Sequence, residues 1–268
     1  MAHGWPSSSL GPRPEKITMH LPEFLNLGAG FSKYFRALPA LSDGEKDLAF
    51  RIRHAVYCEE LGYELPRVEK LESDEFDAQS AHCLLQSVRN NEYVGCVRLI
   101  LTDPRNRQSE LPFETLCATA LDRTIIDTAR MDRSKIAEVS RLAVVSQYRR
   151  RKGEQRVPLG IDERDFGTPD RPRFPYIAAG LYLGLIAQAR HHGIETLFML
   201  TERRLARQLS RLGVNAKAIG SPIEHRGLRY PSMMSIREVV EGFSFFVRPL
   251  FAVISTEMEN AYRLAEAR

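Results

Sequence analysis

The chain has 268 residues, 43% of them hydrophobic and 27% charged, with a formal net charge of +4. That is enough chain to bury a sizeable core, long for one small domain and short for two independent ones. The charge is too small for a polycation, which counts against a basic nucleic-acid-binding module, and no apolar run is long enough to span a bilayer. Cys58, Cys83, Cys96 and Cys117 have neither CxxC spacing nor nearby histidine pairs. They argue against a metal site and for reduced thiols in a cytoplasmic protein.

In chain order, residues 1–20 read as a flexible leader without the apolar stretch of a signal peptide, and 21–268 as one domain. A short amphipathic segment, LPEFLNLGAGFSKYF, precedes a first strand in KYFRALPAL. Ser42 and Glu45 form a capping box that opens a helix running to about Gly62, with Leu48, Ile52, Ala55 and Val56 facing inward. GYELPRVEKLESDEFD has no helical or strand period and reads as a loop. Two apolar runs around Arg89–Glu92 predict a β-hairpin. A short helix over LPFETLCATAL and a strand over Ile136–Val145 follow. A Pro/Gly-punctuated insertion covers about 154–175. The remainder reads as an apolar helix from Tyr176, the strand ETLFMLTE, the helix RRLARQLSRLG, a second hairpin, and a helical C-terminal extension holding an apolar segment and a polar helix. This order predicts an α/β (α+β) fold, a mixed central sheet with helices on both faces.

The 136–145 strand carries the chemistry. Glu138 and Ser140 fall on one face by alternation, and Arg141 on the other. With both faces covered, a charge there needs a partner or a task, so each residue is either half of a structural ion pair or part of a site. Arg98 poses the same question inside VGCVRLIL, and Arg53 and Tyr57 share a helix face four residues apart. Arg149, Arg150, Arg151 and Lys152 follow the strand directly as either a solvated turn or a grip for an anionic partner.

Taken together, RHAVYCEELGY, ESDEFD, VGCVRLILTDP, LPFE and AEVSRLAV resemble the acyl-homoserine-lactone synthases, a branch of the GNAT acyltransferases. The blocks lie in that family's order over about a third of the chain, from Arg53 to Val144. YRRRKGE and the long C-terminal half are more similar to the N-acyl amino acid synthases and to acyltransferases associated with PEP-CTERM/exosortase systems. The resemblance implies a GNAT-like sheet, Glu138 as general base, and Ser140 and Arg141 as its motif companions. It also implies an amine-substrate pocket shaped by Arg53, Asp74, Asp77 and Arg98, with Phe113 of the LPFE block beside it. Tyr57 and Tyr63 stand where that family has other aromatics.

Acyl transfer from a thioester needs a neutral amine, and an α-ammonium with a pKa of about 8 is mostly protonated at neutral pH. A carboxylate in reach removes that proton; burial raises its pKa and a nearby arginine lowers it. Coenzyme A-binding GNAT enzymes place glycines after this strand to cradle a pyrophosphate. Here Arg150 and Lys152 occupy those positions, which favours acyl carrier protein, gripped by Arg149–Lys152, as donor. The leading expectation is an N-acyltransferase moving a medium- or long-chain fatty acyl group from acyl carrier protein to an amino acid or related small amine. It needs no permanently bound cofactor and no metal. The alternatives are an acyl-homoserine-lactone synthase using S-adenosylmethionine, a nucleic-acid-binding module, and a GNAT domain that binds a lipidated partner without turnover.

Overall fold

The computed structural model describes residues 26–103, 106, 109–149, 167–168, 171–172, 175–211 and 213–267, with the side chains of residues 167, 168, 171, 172, 204, 208 and 211 excepted. The expected leader, Arg150, Arg151, Lys152 and most of the expected insertion lie outside the described residues.

Helix α1 (Leu27–Tyr34) runs directly into strand β1 (Phe35–Pro39). Ser42 then caps α2 (Asp43–Arg53): its hydroxyl accepts from the Glu45 N–H, and the Glu45 carboxylate reaches back to the Ser42 N–H, 2.8 Å away. The helix widens into a π-helical stretch, His54–Glu60, and ends near the expected point. Its buried stripe is Ala49, Ile52, Arg53 and Val56, so a guanidinium occupies a place where the period alone predicts an apolar contact. A short 3-10 turn over Glu75–Gln79 leads into β2 (Ser80–Ser87) and β3 (Tyr93–Leu101), the expected hairpin. Then come α3 (Pro112–Leu116), β4 (Ile136–Val144), α4 (Tyr176–His191), β5 (Thr196–Thr201) and α5 (Arg203–Arg211).

In place of a simple second hairpin, two short strands, β6 (Lys217–Ala218) and β7 (Ile223–Glu224), both pair with β8 (Leu228–Ser235). Helix α6 (Ile236–Gly242) comes next, and the apolar segment and polar helix expected of the tail from Phe243 merge into one continuous amphipathic helix, α7 (Val247–Glu266). A two-residue ladder joins Gly167–Thr168 to Arg171–Pro172.

The sheet order is β1-β2-β3-β4-β5-β8-β6, with β7 on the edge of β8. Every described pairing in this sheet is antiparallel except β4 with β5. Helices α1, α4 and α7 cover one face around Phe31, Leu181, Leu185 and Ile254, and α2 and α3 cover the other. Close packing of α4 depends on two glycines. A Cβ at Gly180 would lie 2.7 Å from the Phe31 ring, and one at Gly184 would lie 2.7 Å from Cys83 Sγ. All four cysteines are buried and free. Among the described residues no helix is long and apolar enough to cross a membrane.

Candidate active site

Strand β4 changes character halfway along. Ile136, Ala137 and Glu138 are buried, Val139 to Leu142 are partly open, and Ala143 and Val144 are buried again. A central strand is ordinarily driest in its middle, so the opening marks a cleft. Two backbone features make it. The parallel pairing with β5 covers only Ile136–Val139 against Thr196–Met199, after which the strands have no further partner residues in common. On the other side, Cys96 pairs with Ala143 and Arg98 with Ser140, which leaves two β4 residues opposite Val97. That is a β-bulge, and Arg141 carries it with φ 52°, in the left-handed region.

The bulge corrects one expectation. Simple alternation sends Arg141 to the face opposite Glu138 and Ser140. The extra residue breaks the alternation, so Ser140, Arg141 and Ala143 all contact the α2 side while Leu142 and Val144 join the α4 core. Arg141 therefore meets the same acids as Arg98 and Arg53.

Those acids come from the loop between α2 and β2. Asp74 and Asp77 cap the 3-10 turn reciprocally: the Asp77 carboxylate accepts from the Asp74 N–H at 2.7 Å, and Asp74 from the Phe76 N–H at 3.0 Å. Arg53, fully buried, donates to Glu72 and to both oxygens of Asp77, at 2.6 and 3.0 Å. Arg98 donates to Asp74 at 2.5 Å, Asp77 at 2.8 Å and Ser140 Oγ at 2.9 Å. Arg141 reaches Glu72, Asp74 and, at 3.4 Å, Glu64. Glu64 also meets Arg226 from the turn between β7 and β8. Burial works to raise the Asp77 carboxyl, but Arg53 and Arg98 hold it far below the usual carboxylate range. Glu72 and Asp74 are lowered against burial in the same way, by Arg53 and Arg98 respectively. Beneath Asp77, burial pushes the His82 imidazole down to about 4, so it stays neutral and adds no charge.

Glu138 stands apart from this network. It is 6% exposed, and no described cation lies within ion-pairing distance. Its Oε2 accepts the Phe113 backbone N–H at 2.8 Å, at the start of α3. The Glu114 carboxylate accepts the Leu111 N–H at 2.7 Å and is gripped by both terminal nitrogens of Arg133, at 2.9 and 2.8 Å, which fixes α3 in place. Ile100, Leu111, Cys117, Ile136 and the stacked rings of Phe113 and Phe198 surround this part of the sheet. Burial pushes the Glu138 carboxyl up to about 7, against the opposing pull of the Phe113 N–H and of Arg98. A carboxyl with that titration gives up and regains a proton readily at neutral pH.

The structure thus brings Arg53, Asp74, Asp77, Arg98, Ser140 and Arg141 into one bonded cluster. Phe113 acts on Glu138 through its N–H, while its ring packs in the core. Tyr57 is not an open pocket wall: it is buried, and its hydroxyl donates to the Leu142 carbonyl at 2.8 Å, a bond no phenylalanine could make. Tyr63 is partly exposed under the Arg226 guanidinium. Arg149 is turned inward to Glu60, which also accepts the Ser146 N–H, so it offers little to a docking partner. Sequence reasoning passed over Glu64, Glu72 and Arg226. The first two stand among solvated-looking loop acids, and the third lies 162 residues from its partner.

Residues 52–157 match the acetyltransferase (GNAT) domain family. The matched stretch, about two-fifths of the chain, is thus similar to a GNAT acetyltransferase domain. Glu138 and the bulge fall inside the matched stretch, whereas β5, the other half of the strand splay, lies beyond it. Among solved structures, the CoA-dependent acyl-homoserine lactone synthase BjaI, with SAM and isopentyl-CoA, aligns at TM-score 0.52 and 19% identity, over 84% of this chain and 89% of its own. The AHL synthase LasI aligns at TM-score 0.52 and 14% identity, over 79% and 98%. FeeM, an N-acyl amino acid synthase from uncultured soil microbes, aligns at TM-score 0.49 and 16% identity, over 78% and 94%. At these identities the likeness is one of fold. No curated protein sequence matches the chain. The central acid and the bulged arginine lie three residues apart on β4, where the strand parts from β5.

Proposed function

We propose that this protein is an N-acyltransferase that moves a medium- or long-chain fatty acyl group from acyl carrier protein to the amine of an amino acid or related small molecule. The observation that carries this reading is Glu138: a buried carboxyl beside an opening in the central strand, hydrogen-bonded to a backbone N–H and not neutralised by any described cation. Glu138 takes the proton from the substrate ammonium. The freed nitrogen attacks the thioester carbonyl, the tetrahedral oxyanion collapses, the C–S bond breaks, and the surplus proton of the attacking nitrogen passes to the departing thiolate. Backbone N–H groups of β4 beyond Val139, released from β5, are the donors placed for the oxyanion. Ser140 accepts from Arg98, which leaves its own O–H free to donate. Val139, Leu142, Ile177 and Leu205, partly buried against the α4 core, supply an apolar wall for an acyl chain.

The donor assignment rests on the cations at 150 and 152, where a pyrophosphate cradle calls for glycine. The decisive experiment incubates the purified protein with acyl carrier protein thioesters and, separately, acyl-CoA, against amino acids and S-adenosylmethionine. N-acyl products are sought by mass spectrometry. An N-acyl amino acid made from the carrier thioester supports the reading, and an acyl-homoserine lactone as sole product overturns it. Arg150→Glu with Lys152→Glu is expected to raise KM for acyl carrier protein about tenfold or more while leaving KM for the amine nearly unchanged. A shift in the amine KM alone would remove the carrier protein from these two cations.

A further inference from the structure

The carboxylates of the polar cluster are not equivalent. Asp77 uses both oxygens, on Arg53, Arg98 and the Asp74 N–H, and Glu72 uses both on Arg53 and Arg141. Among the described residues Glu64 is held by one oxygen: Arg141 and Arg226 converge on Oε1. Its side chain is 29% exposed and that of Arg226 28%, against 2% for Glu72 and 7% for Asp77. A partly exposed contact through a single oxygen is weakened by water and by salt, so another carboxylate can exchange with it.

The two guanidiniums, by contrast, are firmly placed. Arg141 is fixed by the bulge and by Glu72 and Asp74. Arg226 sits at a turn with φ 55°, followed by Gly227 at φ 98°. The Gly227 N–H donates to Glu224 Oε1 at 3.0 Å, and the His225 N–H to the Gly227 carbonyl at 3.0 Å. The Arg226 guanidinium lies 5.4 Å above the Tyr63 ring, whose backbone N–H is anchored to the Tyr57 carbonyl at 2.7 Å. His225 is held below its ordinary titration range by burial and the flanking arginines, so it adds no competing cation.

We infer that Arg141 and Arg226 together bind the carboxylate of the acceptor, with Glu64 as its internal competitor. An α-amino acid bears its nitrogen and carboxylate on one carbon. A site for it therefore needs a base and a cation side by side, and the bulge puts Arg141 on the face of β4 that carries Glu138. This rests on the acyltransferase reading and deepens it: the acceptor is an amino acid, and its amide or the decarboxylated amine is a poor substrate.

The test compares each of the common amino acids with its amide as acceptors, in the intact enzyme and in Arg226→Gln and Glu64→Gln. A charged hydrogen bond is worth about 1.5–3 kcal/mol, so Arg226→Gln is expected to lower the amino acid-to-amide ratio of kcat/KM by about 10- to 100-fold. Glu64→Gln is expected to lower KM for the amino acid. Turnover with the ratio unmoved in Arg226→Gln, or a higher amino acid KM in Glu64→Gln, overturns the inference while the acyltransferase assignment stands. If the intact enzyme acylates no acceptor at all, both fall together.

Discussion

Glu138→Gln is expected to abolish at least about 99% of turnover and at the same time make the protein more stable above neutral pH. The two effects share one cause. In the folded state burial raises this carboxyl from 4.5 to about 7. The native state therefore favours the protonated form, and the stability this confers is present below pH 4.5 and lost as pH rises through about 7. Above that, the buried charge costs roughly 3 kcal/mol relative to an uncharged side chain, an upper figure because the surroundings relax. Glutamine keeps an acceptor for the Phe113 N–H and cannot ionise. Unfolding measurements from pH 4 to 8 should show the variant gaining on the wild type between about pH 4.5 and 7 and holding its lead beyond. The wild-type kcat/KM should rise through about pH 7, and that inflection should vanish in the variant. A variant with near wild-type rate, or with no stability gain at pH 8, would exclude Glu138 as the buried base.

Arg53→Met has the opposite character. It deletes the fully buried guanidinium that joins Glu72 to Asp77 and leaves two buried carboxylates short of a partner, at an expected cost of about 3–5 kcal/mol at pH 7. The sign with pH follows from the lowered carboxyls of Glu72, Asp74 and Asp77. Their contribution is present above their unfolded values, about 4, and is lost as pH falls through the folded ones. The gap between wild type and Arg53→Met in a urea titration should be widest near neutrality and close under acid. Adding Glu72→Leu should restore part of the loss, because an apolar group needs no counterion. A gap below about 1 kcal/mol at pH 7 would mean that water, not Arg53, compensates these acids.

Much of this architecture is legible in the chain itself. Ser42 and Glu45 mark a helix start through local hydrogen bonds. The apolar run from Tyr176 has no solvent face to offer, and an acid in the middle of Ile136–Val144 stands out because a sheet strand rarely carries one without reason. What escapes is non-local. The bulge exists only when β4 is counted against β3, since Arg141 in isolation is one more residue in an alternating strand. Tyr57 reads as a pocket aromatic until Leu142, 85 residues away, supplies a carbonyl for its hydroxyl. Glu64 and Arg226 meet because a β-turn from the far edge of the sheet reaches back over the loop after α2. No period in either segment records that meeting.

The polar cluster also has a long-range electrostatic consequence. Arg53, Arg98, Arg141 and Arg226 are matched one for one by Glu64, Glu72, Asp74 and Asp77, so beyond the Debye length of about 8 Å at physiological ionic strength the assembly projects almost no field. It cannot draw a charged metabolite from a distance; recognition there begins only on contact. Steering of a large acidic partner has to come from unmatched cations elsewhere on the surface, and added salt would separate the two encounters by slowing one and sparing the other.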